Sequence, residues 1–418
     1  MNKYLQLRPH FIALFGFAAF GLAIAVPASA LPEFQFKFTE KPGMYAVGLR
    51  VIEQYDAYRV FETASDKASK PAAEGPRPMQ TLMWYPAEKS SGKLMTLADY
   101  AALIKTETSF GRPVERGKPQ AFVEQYMLGA SALPALAIRD AAMQVGRFPV
   151  VIYAPSLNAP AIENIELCEY LASHGFVVIA TPSMGAKSRE MTIDIDGANA
   201  EARDISFLID FAKKLPDTNM AEVAAMGYSW GGMSALFAAA RDQRIGALIS
   251  LDGSFRYSPG TVQEAGDVHP DRMAIPLLVF SRAEETLESW DTMRQKNNQG
   301  EPAPNVLNEW THGDLVHIRL LAVSHIQFSS LYQRSERFRN EALQFSPADY
   351  SLEEGAESYN WMTRYSLEFL NAYLKQDVAA KLFLQRTPAE NGVPRHLIAA
   401  SFRPASGKPS LSGAPPAK

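Results

Sequence analysis

Cysteine is almost absent from this sequence: Cys168 is the single one in 418 residues. One thiol cannot close an internal disulfide or build a cysteine metal site. Beside a predicted helix face it reads as a small buried apolar residue. Excess positive charge is missing too. Lys and Arg total 41 against 45 Asp and Glu, giving a formal net charge of −4 and a pI near 6.0. With no basic footprint, nucleic acid is not an expected partner. No internal repeat is visible, and beyond the N-terminal stretch no apolar run is long enough to cross a bilayer.

What is present is an ordinary globular composition, 47% hydrophobic and 21% charged, ample for a sizeable core. The length alone suggests two or three domains, although large α/β folds often exceed that size as one unit. Lys3 and Arg8 precede an apolar run over residues 11–26, and Ala28-Ser29-Ala30 supplies a small-residue cleavage pattern. Residues 1–30 therefore read as an export signal peptide. An uncleaved membrane anchor is the rival reading. Cleavage would leave a soluble periplasmic or secreted protein beginning near Leu31, and the lack of disulfides leans towards a bacterial periplasm or surface.

The domain is expected over residues 31–402, followed by a Pro/Ser/Gly-rich flexible tail over residues 403–418. Residues 64–78 look like a loop. Residues 94–145 are mostly helical in pattern, with Leu97, Tyr100, Ala101 and Ile104 at helical spacing. This segment is either a helical cap over the site or structural packing. From Phe148 onward, buried strands alternate with helices. Apolar runs occur at residues 149–153, 176–180, 223–227, 247–251 and 276–280, with helical patterns between them and a long one at residues 359–374. Continuous apolar runs suit strands covered on both faces. The alternation predicts an α/β fold with a doubly wound, mostly parallel sheet.

The strongest chemical signal is Gly227-Tyr228-Ser229-Trp230-Gly231, a G-x-S-x-G between an apolar strand and an Ala-rich helix. That context defines a nucleophile elbow of the α/β-hydrolase fold, with Ser229 at the tip of a strained turn. A serine hydroxyl needs a base beside it. His325, after the last apolar run before the final helix, stands where this fold places its base, and His312 and His317 are its rivals. Their spacing is not the i, i+4 of a helical zinc pair. Asp252 ends the strand at residues 247–251, on the same rim as Ser229. Glu284 and Glu285, past the next strand, are the competing acids. The oxyanion hole should combine the amide of Trp230 with one from the loop after residues 149–153.

Three stretches carry a resemblance to the platelet-activating factor acetylhydrolase and dienelactone hydrolase-like branch of the α/β hydrolases. They are residues 149–178 with Leu171-Ala172-Ser173-His174-Gly175-Phe176, the elbow, and Ser324-His325-Ile326-Gln327-Phe328. The resemblance runs over residues 149–330, with weaker similarity at residues 43–48 and Trp84-Tyr85-Pro86. It implies Asp252 rather than Glu284 as the acid, Leu157 as the second oxyanion donor, and cofactor-free ester hydrolysis. Two departures bear on substrate choice: Pro155-Ser156 stands where relatives have His-Gly, and Tyr228 replaces their elbow histidine.

The expectation is a carboxylic ester hydrolase acting through an acyl-enzyme on a small ester, a short-acyl lipid or lactone among the choices. Its catalytic residues are Ser229, Asp252 and His325, its oxyanion donors Leu157 and Trp230, with no cofactor and no metal. Transient contact with a lipid surface fits such a substrate. A prolyl-oligopeptidase-like serine peptidase and a catalytically inert binding module on the same fold are the alternatives.

Overall fold

The apolar runs beginning at Phe148 form the centre of a sheet in a computed structural model of the chain, which describes residues 36–63, 73–110, 133–282, 305–334 and 349–406. The central strands are β5 (Phe148–Ala154), β6 (Val177–Ala180), β7 (Thr218–Tyr228), β8 (Ile245–Leu251), β9 (Leu277–Arg282) and β10 (Leu315–Leu320). They pair in parallel, and β5 lies between β6 and β7. Every residue of β5 and β6 is buried. Two layers of helix account for that. Val150, Ile152, Val177, Ile179, Val223 and Ala225 share a core with the helices Ile195–Ala212 and Trp230–Arg241. The helices Ile165–Ser173 and Leu352–Tyr373 pack together elsewhere, the longer one against β8 and β9. Both faces are covered, as a parallel sheet requires.

The edges depart from the sequence reading. Residues 64–78 were expected to be a loop, but β2 (Ala73–Ala87) begins within that span and pairs antiparallel with β1 (Ala46–Thr63). Pro76 and Pro78 obscured it. They are tolerated because β2 meets β6 only at Leu82, Met83 and Trp84, so among the described residues the earlier part of β2 lacks a strand on its second side. That register also sends the outer hairpin past Ala180, the last residue of β6.

Residues 94–145 are not mostly helical where described. The helical spacing holds for α1 (Leu97–Ile104), which buries Leu97, Tyr100 and Ile104. Around it, β3 (Leu94–Thr96) and β4 (Pro134–Arg139) extend the far edge of the sheet beyond β1. The burial alternation along Pro134–Arg139 leaves one face of β4 open, and the strand lies between β1 and β3 with Ala137 opposite Val47 of β1. Residues 111–132 lie outside the described residues.

At the other edge, β11 (Ile398–Arg403) pairs antiparallel with β10. Arg403, expected to open the tail, is thus the last residue of the sheet's final strand. The Ala405 amide bonds Asp314, and the Ser406 amide bonds the carbonyl of Thr311. Residues 407–418 and the proposed signal peptide, residues 1–30, lie outside the described residues. Among the described residues no helix is long and apolar enough to cross a membrane.

Candidate active site

The strand β7 delivers Ser229 into a sharp turn with φ 54° and ψ −118°, directly before the helix that starts at Trp230. Such a backbone costs about 1–3 kcal/mol and persists only where its surroundings over-determine it. Here they do. The Ser229 amide bonds the Leu251 carbonyl of β8 at 3.0 Å, and its carbonyl accepts from the amides of Gly232 and Ser254. A Cβ at Gly227 would collide with the Gly231 carbonyl, and one at Gly231 with the carbonyls of Ala154 and Pro155. The two motif glycines thus let the turn close on itself and against the end of β5.

His325 opens a short turn, His325–Phe328, capped by Ser324 and Gln327, whose carboxamide oxygen accepts from the Ser324 amide at 2.7 Å. Its Nε2 lies 2.9 Å from Ser229 Oγ, and its Nδ1 lies 2.5 Å from Asp252 Oδ2. An ionised carboxylate only accepts, so Nδ1 carries the proton and Nε2 is left to accept from the serine hydroxyl. The imidazole is partly open to solvent while Asp252 is buried.

Asp252 follows β8 with φ 47°, and its amide bonds the Phe280 carbonyl of β9 at 3.0 Å. Its second oxygen accepts from the Tyr257 hydroxyl. The Arg282 guanidinium stands 3.7 Å away. Burial pushes the carboxyl upward, but the bond and charge of His325, then Arg282 and Tyr257, outweigh it and hold the group below the usual carboxylate range. The acid is therefore ionised at neutral pH, as orienting an imidazole requires.

The rival residues fall elsewhere. His317 lies within β10, hydrogen-bonded through Nε2 to Ser281 of β9 at 2.9 Å, and burial lowers its pKa to about 3. It is a neutral core histidine. His312 lies in the turn before β10. Glu284 and Glu285 lie outside the described residues.

Trp230 is the first residue of its helix, so its amide has no acceptor one turn back. Leu157 sits in the turn after β5 that the elbow packs against, and the Ala159 amide closes that turn on the Ser156 carbonyl at 2.9 Å. The Ser156 amide is already committed to Glu163 at 2.8 Å. The site lies outside the C-terminal ends of β5 and β7, where the chain steps first to β6 and then to the opposite side of β5, the usual ligand crevice of an open α/β sheet.

Three contributors went unnoticed in the sequence: Tyr257, which braces the acid; Glu163, beneath the loop after β5; and Arg189, which joins Glu107 to the Asn158 carbonyl. Only the unusual Pro155-Ser156 pair marked that loop as altered.

The family model for X-Pro dipeptidyl-peptidase (S15 family) matches residues 65–314, a span holding Ser229 and Asp252 and ending before His325. Among solved structures, a ferulic acid esterase from Streptomyces cinnamoneus is similar in fold, with a TM-score of 0.60 at 17% identity over 87% of this chain and 98% of that one. No protein of curated function matches. With more than half of its length matched by one family model, the chain belongs to the S15, X-Pro dipeptidyl-peptidase family of serine-type α/β hydrolases.

Proposed function

We propose that this protein hydrolyses carboxylic esters through an acyl-enzyme intermediate. The observation that carries the reading is the continuous line from Ser229 Oγ through both His325 nitrogens to Asp252, at 2.9 Å and 2.5 Å. Ser229 attacks the carbonyl as His325 Nε2 takes its proton, and Asp252 stabilises the imidazolium that forms. The amides of Trp230 and Leu157 receive the oxyanion, each such donor typically contributing a few kcal/mol. His325 returns the proton to the departing alkoxide, and water repeats the sequence in reverse to free the acid.

The family description favours a second reading, a peptidase releasing Xaa-Pro dipeptides. That reaction needs a carboxylate to hold the substrate's free ammonium group. Around the serine and the loop after β5, the described carboxylates have other partners: Asp252 binds His325 and Tyr257, Glu163 binds Ser156 and Tyr153, and Glu107 binds Arg189. This supports the ester reading, as do the acetylhydrolase-like motifs, which favour a short acyl group or a lactone. The complete hydrogen-bonded line speaks against an inert binding module. The basic, apolar and small-residue pattern of residues 1–30 supports an exported enzyme working in the periplasm or outside the cell, where transient contact with lipid fits a short-acyl lipid substrate.

Turnover of p-nitrophenyl acetate and butyrate should exceed that of Xaa-Pro p-nitroanilides. A fluorophosphonate should label the wild type and not Ser229→Ala. Labelling that survives Ser229→Ala would move the nucleophile, and faster anilide cleavage would favour the peptidase.

A further inference from the structure

Glu163 lies wholly buried nine residues beyond the end of β5, and its carboxylate faces the loop that carries Leu157. It accepts from the Ser156 amide at 2.8 Å and the Tyr153 hydroxyl at 3.0 Å, and also from the Ser156 hydroxyl. The Tyr332 hydroxyl completes the set. The same residue anchors the histidine loop through its backbone: the Glu163 carbonyl accepts from Ser329 Oγ at 2.9 Å and from the Leu331 amide at 3.2 Å. Next to it, Asn164 donates to Tyr153 Oη at 2.7 Å and to the Phe328 carbonyl, and accepts from the Ser330 amide and Tyr359. One dipeptide thus joins the loop after β5 to the loop of the proposed base.

We propose that Glu163 is a positioning residue for the oxyanion loop, whose ionised carboxylate pulls on the Ser156 amide and hydroxyl and so fixes the adjoining Leu157 amide towards Ser229. This rests on the ester hydrolase reading of the same site. The chemistry follows from what each oxygen meets. A carboxylate satisfies all its donors at once. A protonated carboxyl must donate one hydrogen itself, which the Ser156 or Tyr153 hydroxyl can accept but an amide N–H cannot, and its remaining acceptor is weaker. Protonation therefore loosens the hold on Ser156.

Burial pushes Glu163 up to about 7, against the opposing pull of Ser156, Tyr153 and Tyr332. The ionisable groups that sense its charge are Tyr153 of β5, Tyr228 of β7, Cys168 of the helix Ile165–Ser173, Glu201 of the helix Ile195–Ala212, and Tyr332. The loop is thus poised to tighten as the pH rises through neutrality.

Glu163→Gln copies the protonated form in shape. In p-nitrophenyl butyrate hydrolysis its kcat should fall about tenfold while KM changes little, the difference between a charge-assisted and a neutral clamp. The wild-type kcat profile should show a step of about tenfold as Glu163 gains its proton near pH 7. In Glu163→Gln that step should be absent. Ser156→Ala, which removes one bond that favours the carboxylate, should move the step to higher pH. Fluorophosphonate should still label every variant fully but label Glu163→Gln more slowly. Wild-type kcat in Glu163→Gln, or a reduced kcat with an unchanged step, overturns the proposal. Failure of the wild type to label overturns the hydrolase reading instead.

Discussion

The hydroxyl of Tyr228, the residue just before the nucleophile, donates to the carbonyl of His325 at 2.8 Å, with the two rings 5.2 Å apart. The elbow thus holds the loop of the proposed base. Tyr228→Phe keeps the ring and removes this bond, leaving the carbonyl without that donor. The expected cost is about 1–3 kcal/mol in stability, read by urea unfolding, with kcat lowered more than KM is raised.

Asp252 holds His325 in one tautomer, so Asp252→Asn should lower kcat by about 10⁴-fold with the fold intact by circular dichroism. Tyr257→Phe removes only a bond that favours the ionised acid and should cost about tenfold or less. If Asp252→Asn kept near-wild-type turnover, the orienting carboxylate would lie elsewhere.

The closeness of the elbow to the end of β5 leaves Gly231 no room for a methyl group. In Gly231→Ala the new carbon must displace the Ala154 and Pro155 carbonyls, and with them the Leu157 amide. Losing one oxyanion donor costs about 10²–10³ in kcat. Gly246→Ala, in β8 and clear of such contacts, should be near wild type in the same assay.

Three buried carboxyls set a pH dependence of stability. Burial pushes Glu163 and Glu169 up to about 7 and Glu201 to about 8. The native chain keeps protons that the unfolded chain releases near 4.5, so their contribution is complete below that pH and lost as pH rises through 7 to 8. His317, lowered by burial to about 3, acts oppositely, but only below its ordinary value of 6.5. Lys375, lowered by burial to about 8, acts oppositely only above that pH. Between pH 6.5 and 8 the carboxyls dominate, and Tm should drop by roughly 2–5 °C. Glu201→Gln, which keeps an acceptor for the Ser234 hydroxyl, should flatten that fall in differential scanning calorimetry.

Strands β5 to β9 were legible as apolar runs punctuated by helices, whereas β10 was not, because His317 and Arg319 interrupt Leu315–Leu320. The elbow was legible because its glycines and serine fall within five residues. Topology put Asp252 on the rim of Ser229 but left Glu284 and Glu285 as competing acids, between which the family resemblance favoured Asp252. His325 followed the last apolar run, with His312 and His317 as rivals. The β1–β2 hairpin was not legible: Pro76 and Pro78 are loop signals unless one knows that β2 has lost its second neighbour there. Strand β4, between β1 and β3, was masked by the helical spacing over residues 97–104. Glu163 was invisible for another reason. A carboxylate bonded to Ser156 and Tyr153 has no periodic signature, and only the packed fold shows that its partners surround it.

The strand order gives the crevice two unlike flanks. In the proposed reaction the proton-moving residues Asp252 and His325 follow β8 and β10, while the amides proposed to receive negative charge follow β5 and β7. Under that reading a scissile carbonyl on Ser229 turns its oxygen towards one flank and its leaving group towards the other. A substrate docked in the reverse sense would bring its leaving group to no proton donor.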